Sequence, residues 1–101
     1  MIKHIILWQI KDEFSPDEKF EIAQNAKKAL ETLTEQIDGL QMLTVQIQPL
    51  TSSNADMMLE SVFSSTEALA NYQKHPLHVA AADTFVRPFM KARLCYDFDE
   101  I

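Results

Sequence analysis

Four stretches that alternate apolar and polar residues, and two that repeat apolar residues every three or four positions, predict an α+β domain of order β-α-β-β-α-β. Alternation marks a strand because successive side chains point to opposite faces. The longer spacing marks one face of a helix. This order is the split βαβ, ferredoxin-like arrangement, with a four-stranded antiparallel sheet. A His75-Pro76 step inside the second helical stretch predicts that this helix is broken, because a residue before proline is biased out of the α region. At 101 residues the chain has room for one core, so residues 1–101 are read as a single domain.

The first strand is expected over 2–10. Ile2, His4, Ile6, Trp8 and Ile10 share one face, and Lys3, Ile5, Leu7 and Gln9 the other. Ser15-Pro16-Asp17-Glu18 is a helix start: a capping serine, a proline suited to the first helical position, and a glutamate that closes a capping box. Phe20, Ala23, Ala26, Leu30, Leu33 and Ile37 continue the helical period to about residue 37, and Gly39 stands where a C-terminal cap belongs. Residues 40–50 alternate again, with Leu43, Val45 and Ile47 as an apolar face and Pro49 as the strand end. After a turn-rich loop over 51–56, Met57, Leu59, Ser61 and Phe63 share one side of a third strand.

Ser64-Ser65-Thr66-Glu67 is read as a second capping box, opening a short helix with Ala68, Leu69 and Tyr72. Pro76 opens a further segment, with Val79, Ala82, Phe85, Val86 and Phe89 as inward positions and Pro88 as its end. The fourth strand is expected over 92–98, with Leu94, Tyr96 and Phe98 opposite Arg93, Cys95 and Asp97. The acidic tail Asp99-Glu100-Ile101 is expected to fray.

A formal charge of −6 argues against a nucleic-acid partner and against an anionic membrane surface, since both need a basic face. No apolar run reaches transmembrane length, and no secretory leader is evident, so a soluble cytoplasmic protein is expected. A single cysteine, Cys95, excludes an internal disulfide and reads as a buried structural thiol. A single glycine excludes glycine-rich phosphate loops, and no cofactor is expected. His75 and His78 have the i, i+3 spacing of metal ligands, but no third ligand is evident and no metal is expected.

Two helices cover only one face of a four-stranded sheet. Strand one still shows Ile5 and Leu7 on its other face, and strand two carries a full apolar face. Such a surface predicts a homodimer in which two helix-free sheet faces pack together into an α+β barrel.

From Met1 to about Phe98 the chain resembles the stress-responsive dimeric α/β-barrel (Dabb) domains. The resemblance is carried by Met1-Ile-Lys-His-Ile5, Lys11-Asp-Glu13, Ile37-Asp-Gly39, Ala55-Asp56, Tyr72-x-x-His75-Pro76-x-His78 and the Arg93–Asp97 strand. It implies the dimeric barrel, and a stress-associated or ligand-binding protein of unresolved activity. A plant polyketide cyclase of this family works without a cofactor, by aldol condensation in an apolar pocket between helices and sheet. Tyr72 and His78 match its catalytic positions, and His4 matches a pocket histidine. Met57 stands where that cyclase has a further pocket histidine, which implies a less polar pocket here.

The residues themselves allow more than one use. His78 falls in the first turn of the segment opened by Pro76, where the helix dipole and burial both disfavour imidazolium, so it could act as a general base. It could equally hold the helix junction by hydrogen bonding. Tyr72 could hold a substrate carbonyl or enolate, or serve as a core aromatic. His4 shares an apolar face and is either a pocket residue or a satisfied core histidine. Trp8, Met57, Leu59, Phe85 and Phe89 complete the expected pocket wall. The leading expectation is a pocket for a small apolar or aromatic ligand. The alternatives are a cofactor-free enzyme, with His78 as base and Tyr72 as orienter, and a structural assembly unit without ligand.

Overall fold

The computed structural model describes residues 1–101. Strand β1 (Ile2–Ile10) is followed by helix α1 (Pro16–Glu31), β2 (Leu40–Gln46), β3 (Met57–Phe63), α2 (Thr66–Lys74), α3 (Pro76–Phe85) and β4 (Met90–Asp99). The four strands form one sheet in the order β2-β3-β1-β4, and every neighbouring pair is antiparallel. This is the ferredoxin-like α+β fold that the alternation predicts, with the second helix interrupted at His75.

Local chemistry accounts for the element ends. Ser15 accepts a hydrogen bond from the Glu18 N–H, and the Glu18 carboxylate accepts one from the Ser15 N–H, which completes the capping box. α1 ends at Glu31, six residues earlier than the apolar spacing suggests, and the chain tightens into a 3₁₀ turn over Thr32–Glu35. The Thr32 hydroxyl donates to the Ala29 carbonyl at 2.9 Å, drawing that group out of the α pattern. β2 stops at Gln46, short of Pro49, and its partner strand starts only after Asp56 has turned to β1. The Asp56 N–H donates to the Trp8 carbonyl, and the Asp56 carboxylate accepts from the Ile10 N–H.

The second capping box does not form. Ser65, not Ser64, caps α2 by accepting from the Ala68 N–H, which puts Glu67 one position too early to reach back. The Ser64 N–H instead donates to the Gly39 carbonyl at 3.0 Å. The C-terminal residues do not fray as expected: Asp99 pairs with Ile2, and the Glu100 N–H donates to the Met1 carbonyl.

Ile6, Trp8 and Ile10 of β1, Leu43 and Val45 of β2 and Met57, Leu59 and Phe63 of β3 face the helices. Ala23, Ala26 and Leu30 of α1 and Leu69 and Tyr72 of α2 close over them. Lys27 donates to the Val45 carbonyl at 2.7 Å, and Glu31 accepts from the Val45 N–H at 3.0 Å. These two side chains satisfy the outward backbone groups of Val45 on the free edge of β2 and cover that part of it against another strand.

The opposite sheet face carries no helix. The apolar row of β2 is buried against α1, so β2 adds only Met42, Thr44 and Gln46 to the open face, a correction to the sequence reading. The apolar surface there comes instead from Ile5 and Leu7 of β1, Met58 and Val62 of β3, and above all β4. Leu94 and Tyr96 are each 69% exposed and Phe98 is 38% exposed. Cys95 is also exposed, against its expected burial, because β4 is the edge strand and no helix crosses its far side. No helix is long and apolar enough to cross a membrane.

Candidate functional site

A cavity of about 300 Å³ lies on the helix side of the sheet, near the low end of ligand-site volumes. β1 contributes His4, Ile6 and Trp8, and β3 contributes Leu59. Tyr72 of α2, His78 of α3 and the segment from Arg87 to Arg93 form the rest of its wall.

The His75-Pro76 step places the two ring systems from the helices. The His75 Nδ1 accepts from the Leu77 N–H at 3.1 Å and caps α3, so this histidine is held at the hinge and is turned to structural use. His78 follows in the first turn of α3, where its ring lies 4.2 Å from that of Tyr72. Phe63 stands 5.0 Å from Tyr72 on the other side and 6.3 Å from the His4 ring. An aromatic row therefore runs from His4 to His78 through the core.

Two polar atoms on this row are buried without a hydrogen-bond partner, the Tyr72 hydroxyl and the His78 Nδ1. Burial holds the Tyr72 hydroxyl well above the usual phenol range, so it is a protonated donor at any physiological pH. Burial also lowers the His78 pKa. The Gln73 backbone works against that shift, and the positive charges of Arg87 and Arg93 reinforce it. His78 is thus neutral at neutral pH and can accept a proton or a hydrogen bond.

This shift has a sign that can be checked. An unfolded chain protonates His78 below about 6.5, whereas the folded chain resists until lower pH, so the unfolded state binds more protons in between. The His78 contribution to stability is therefore fully present above that value and is lost as pH falls through the folded pKa. Thermal melts of wild type and His78→Gln across pH 5 to 8 should diverge on the acid side, with wild type losing more. Parallel curves would mean that His78 titrates normally.

His4 is 3% exposed and pairs with the Asp97 carboxylate through Nδ1, as the β1–β4 register places the two residues directly opposite. A carboxylate on Nδ1 fixes the tautomer of the ring, the role that such partners play in metal and acid–base sites. The Cys95 Sγ lies 3.8 Å from the same nitrogen and 3.5 Å from the Asp97 Oδ1. Partial desolvation of the sulfur against the sheet, followed by the Asp97 charge, pushes this otherwise exposed thiol up and makes it a poor nucleophile. His4, Cys95 and Asp97 bring their donor atoms within 4.8 Å of one another, a set that could hold a thiophilic cation. As found, His4 and Asp97 satisfy each other.

Of the expected wall, His4, Trp8, Leu59, Tyr72 and His78 line the cavity. Met57 is buried in the core and does not line the cavity. Phe85 turns outward at 38% exposure because α3 ends there, and Phe89 packs on Phe14 at 5.9 Å. The sequence reading missed Arg87, Lys91 and Arg93. Their signal was a cluster of three cations within seven residues, free of acids, in a chain of net charge −6.

Comparison with known proteins gives the family. No curated protein matches the sequence. A dimeric ferredoxin-like protein of unknown function from Bacteroides fragilis is 26% identical, with a TM-score of 0.91 over 98% of this chain and 95% of its own. A dimeric ferredoxin-like protein of unknown function from Thermobifida fusca is also 26% identical, with a TM-score of 0.79 over 96% and 88%. A hydroxynitrile lyase from Passiflora edulis is 14% identical, with a TM-score of 0.76 over 96% and 90%, a likeness of fold alone. Residues 2–100 match the stress responsive A/B barrel domain, and the chain belongs to this Dabb family.

Proposed function

We propose that this protein binds a small apolar or aromatic ligand in the cavity beside His78. The observation that carries the reading is the pair of buried, unpartnered polar atoms, the Tyr72 hydroxyl and the His78 Nδ1, in a largely apolar wall. A buried polar group without a partner costs roughly 1–3 kcal/mol. A ligand carbonyl can accept from the Tyr72 hydroxyl, and a ligand hydroxyl can also donate to the His78 Nδ1, and so remove that cost. The apolar wall formed by Trp8, Leu59 and Val86 suits the body of such a molecule.

Tyr72→Phe separates ligand binding from support of the fold. If the hydroxyl serves only a ligand, its removal leaves the free protein as stable as wild type or more stable, by up to about 1 kcal/mol. The same change should abolish most of the thermal stabilisation given by hydrophobic carbonyl compounds. A loss of stability with unchanged ligand response would return Tyr72 to the core.

The lowered pKa of His78 favours a second reading, a cofactor-free enzyme acting on an aromatic or polyketide-like carbonyl compound. His78 would take the proton, and the Tyr72 hydroxyl would hold the enolate oxygen that develops. Turnover should then rise with pH through the His78 titration and vanish in His78→Ala with the fold intact. Full turnover in that variant would exclude His78 as base.

The functional unit is proposed to be a homodimer closed through the helix-free sheet face. The dimeric relatives and the exposed row of Leu94, Tyr96 and Phe98 support this arrangement.

A further inference from the structure

The cavity wall carries three cations and no carboxylate, although the chain holds 15 acidic residues against nine basic ones. Arg87, Lys91 and Arg93 enter the wall together from the turn after α3 and the start of β4. Two of them are already engaged at the surface, Arg87 with Asp83 at 2.5 Å and Lys91 with Asp12 at 2.8 Å. Arg93 has no ion pair. Its strand neighbour across the sheet is Trp8, which also lines the cavity. The Asp97 carboxylate, on the same face of β4 four residues further on, is held by His4.

We propose that the ligand of this cavity is an aryl or acyl carboxylate, with its apolar body against Trp8, Leu59 and Val86 and its carboxylate on the Arg93 guanidinium. The inference rests on the cavity being a ligand site. A guanidinium matches a carboxylate through two parallel N–H donors, and an unpaired one at the rim of an apolar cleft selects that group over a neutral or cationic one. With Arg87 and Lys91 held by Asp83 and Asp12, Arg93 is the one uncompensated cation of the wall, and the absence of a lining carboxylate leaves its charge open to an anion. The neutral state of His78 and the unpartnered Tyr72 hydroxyl leave room for a second polar group on the same ligand, deeper in the cavity.

Trp8 is the only tryptophan and lines the cavity, so its fluorescence reports occupancy directly. Phenylbutyrate, phenylbutanol and phenylbutylamine share one body and differ in terminal charge. Wild type should bind the carboxylate about tenfold more tightly than the alcohol, with the amine weakest. Added salt should erode the preference. In Arg93→Gln the ratio of carboxylate to alcohol affinity should fall toward one, and Arg93→Lys should keep part of it. Equal affinity for alcohol and carboxylate in wild type would overturn this inference and leave the binding reading standing. Failure of all three probes to change the Trp8 signal or the melting temperature would overturn both.

Discussion

Gly39→Ala is expected to destabilise the protein by about 2–5 kcal/mol, a large share of the stability of a domain this size. Gly39 has φ +84°, in the left-handed region where a Cβ costs roughly 1–2 kcal/mol. A Cβ built there would stand 2.6 Å from the Ala68 Cβ, closer than two carbons can approach. Ala68 lies in the first turn of α2, whose cap is set by Ser65, so the helix must move or the turn must open. Overpacking of this kind adds about 1–3 kcal/mol.

The two causes can be separated. Ala68→Gly in the Gly39→Ala background relieves the clash but not the backbone strain, so denaturant midpoints of the two single variants and the double variant should show strong coupling. Additive effects would mean that the close approach contributes nothing. Because the Gly39 carbonyl also accepts from the Ser64 N–H, its turn is tied to the junction between β3 and α2. Damage there should spread to Tyr72, and with it to the cavity.

Leu94→Asp with Tyr96→Asp is expected to weaken the proposed dimer by at least ~1000-fold while leaving the monomer folded. Both side chains are 69% exposed on the single chain, and exposed substitutions usually cost little. In a face-to-face dimer the same positions are buried, and two-fold symmetry brings four uncompensated carboxylates into one apolar layer. At roughly 1–3 kcal/mol for each buried unpaired group the total is about 4–12 kcal/mol, three decades in affinity or more. Sedimentation equilibrium should show a monomer with native circular dichroism. A persistent dimer would place the interface elsewhere, for instance along the free edge of β4. The cavity opens on the opposite side of the sheet, so ligand response should survive dissociation unless the partner braces β4.

The parts of this structure set by local rules were legible in the residues. β1 and β3 begin and end where the alternation does, because each strand has one face buried and a register slip would expose it. The first capping box and the His75-Pro76 break depend on groups within four residues of each other, and both stand as read. The second capping box failed because Ser64 is claimed by Gly39, a partner 25 residues away. α1 was read too long because apolar spacing does not register a threonine that bonds back to its own helix. Cys95 was read as buried because a lone free cysteine is usually a buried one, and residue type does not reveal that a strand lies at an edge.

The candidate site divides in the same way. Tyr72, His78 and His4 could be named from residue type and place on their elements, and all three line one cavity. The sequence alone determined the α+β order and the broken second helix, which follow from spacing along the chain, and it carried the resemblance to the Dabb domains in motifs such as Tyr72-x-x-His75-Pro76-x-His78. Only the tertiary structure decided that His4 is held by Asp97, that the Tyr72 hydroxyl and the His78 Nδ1 are left unpartnered, and that three cations ring the cavity. Those facts depend on which strand lies beside which and how far α3 extends before Pro88. Such long-range pairings are fixed by the packing of the whole core, and no local pattern encodes them.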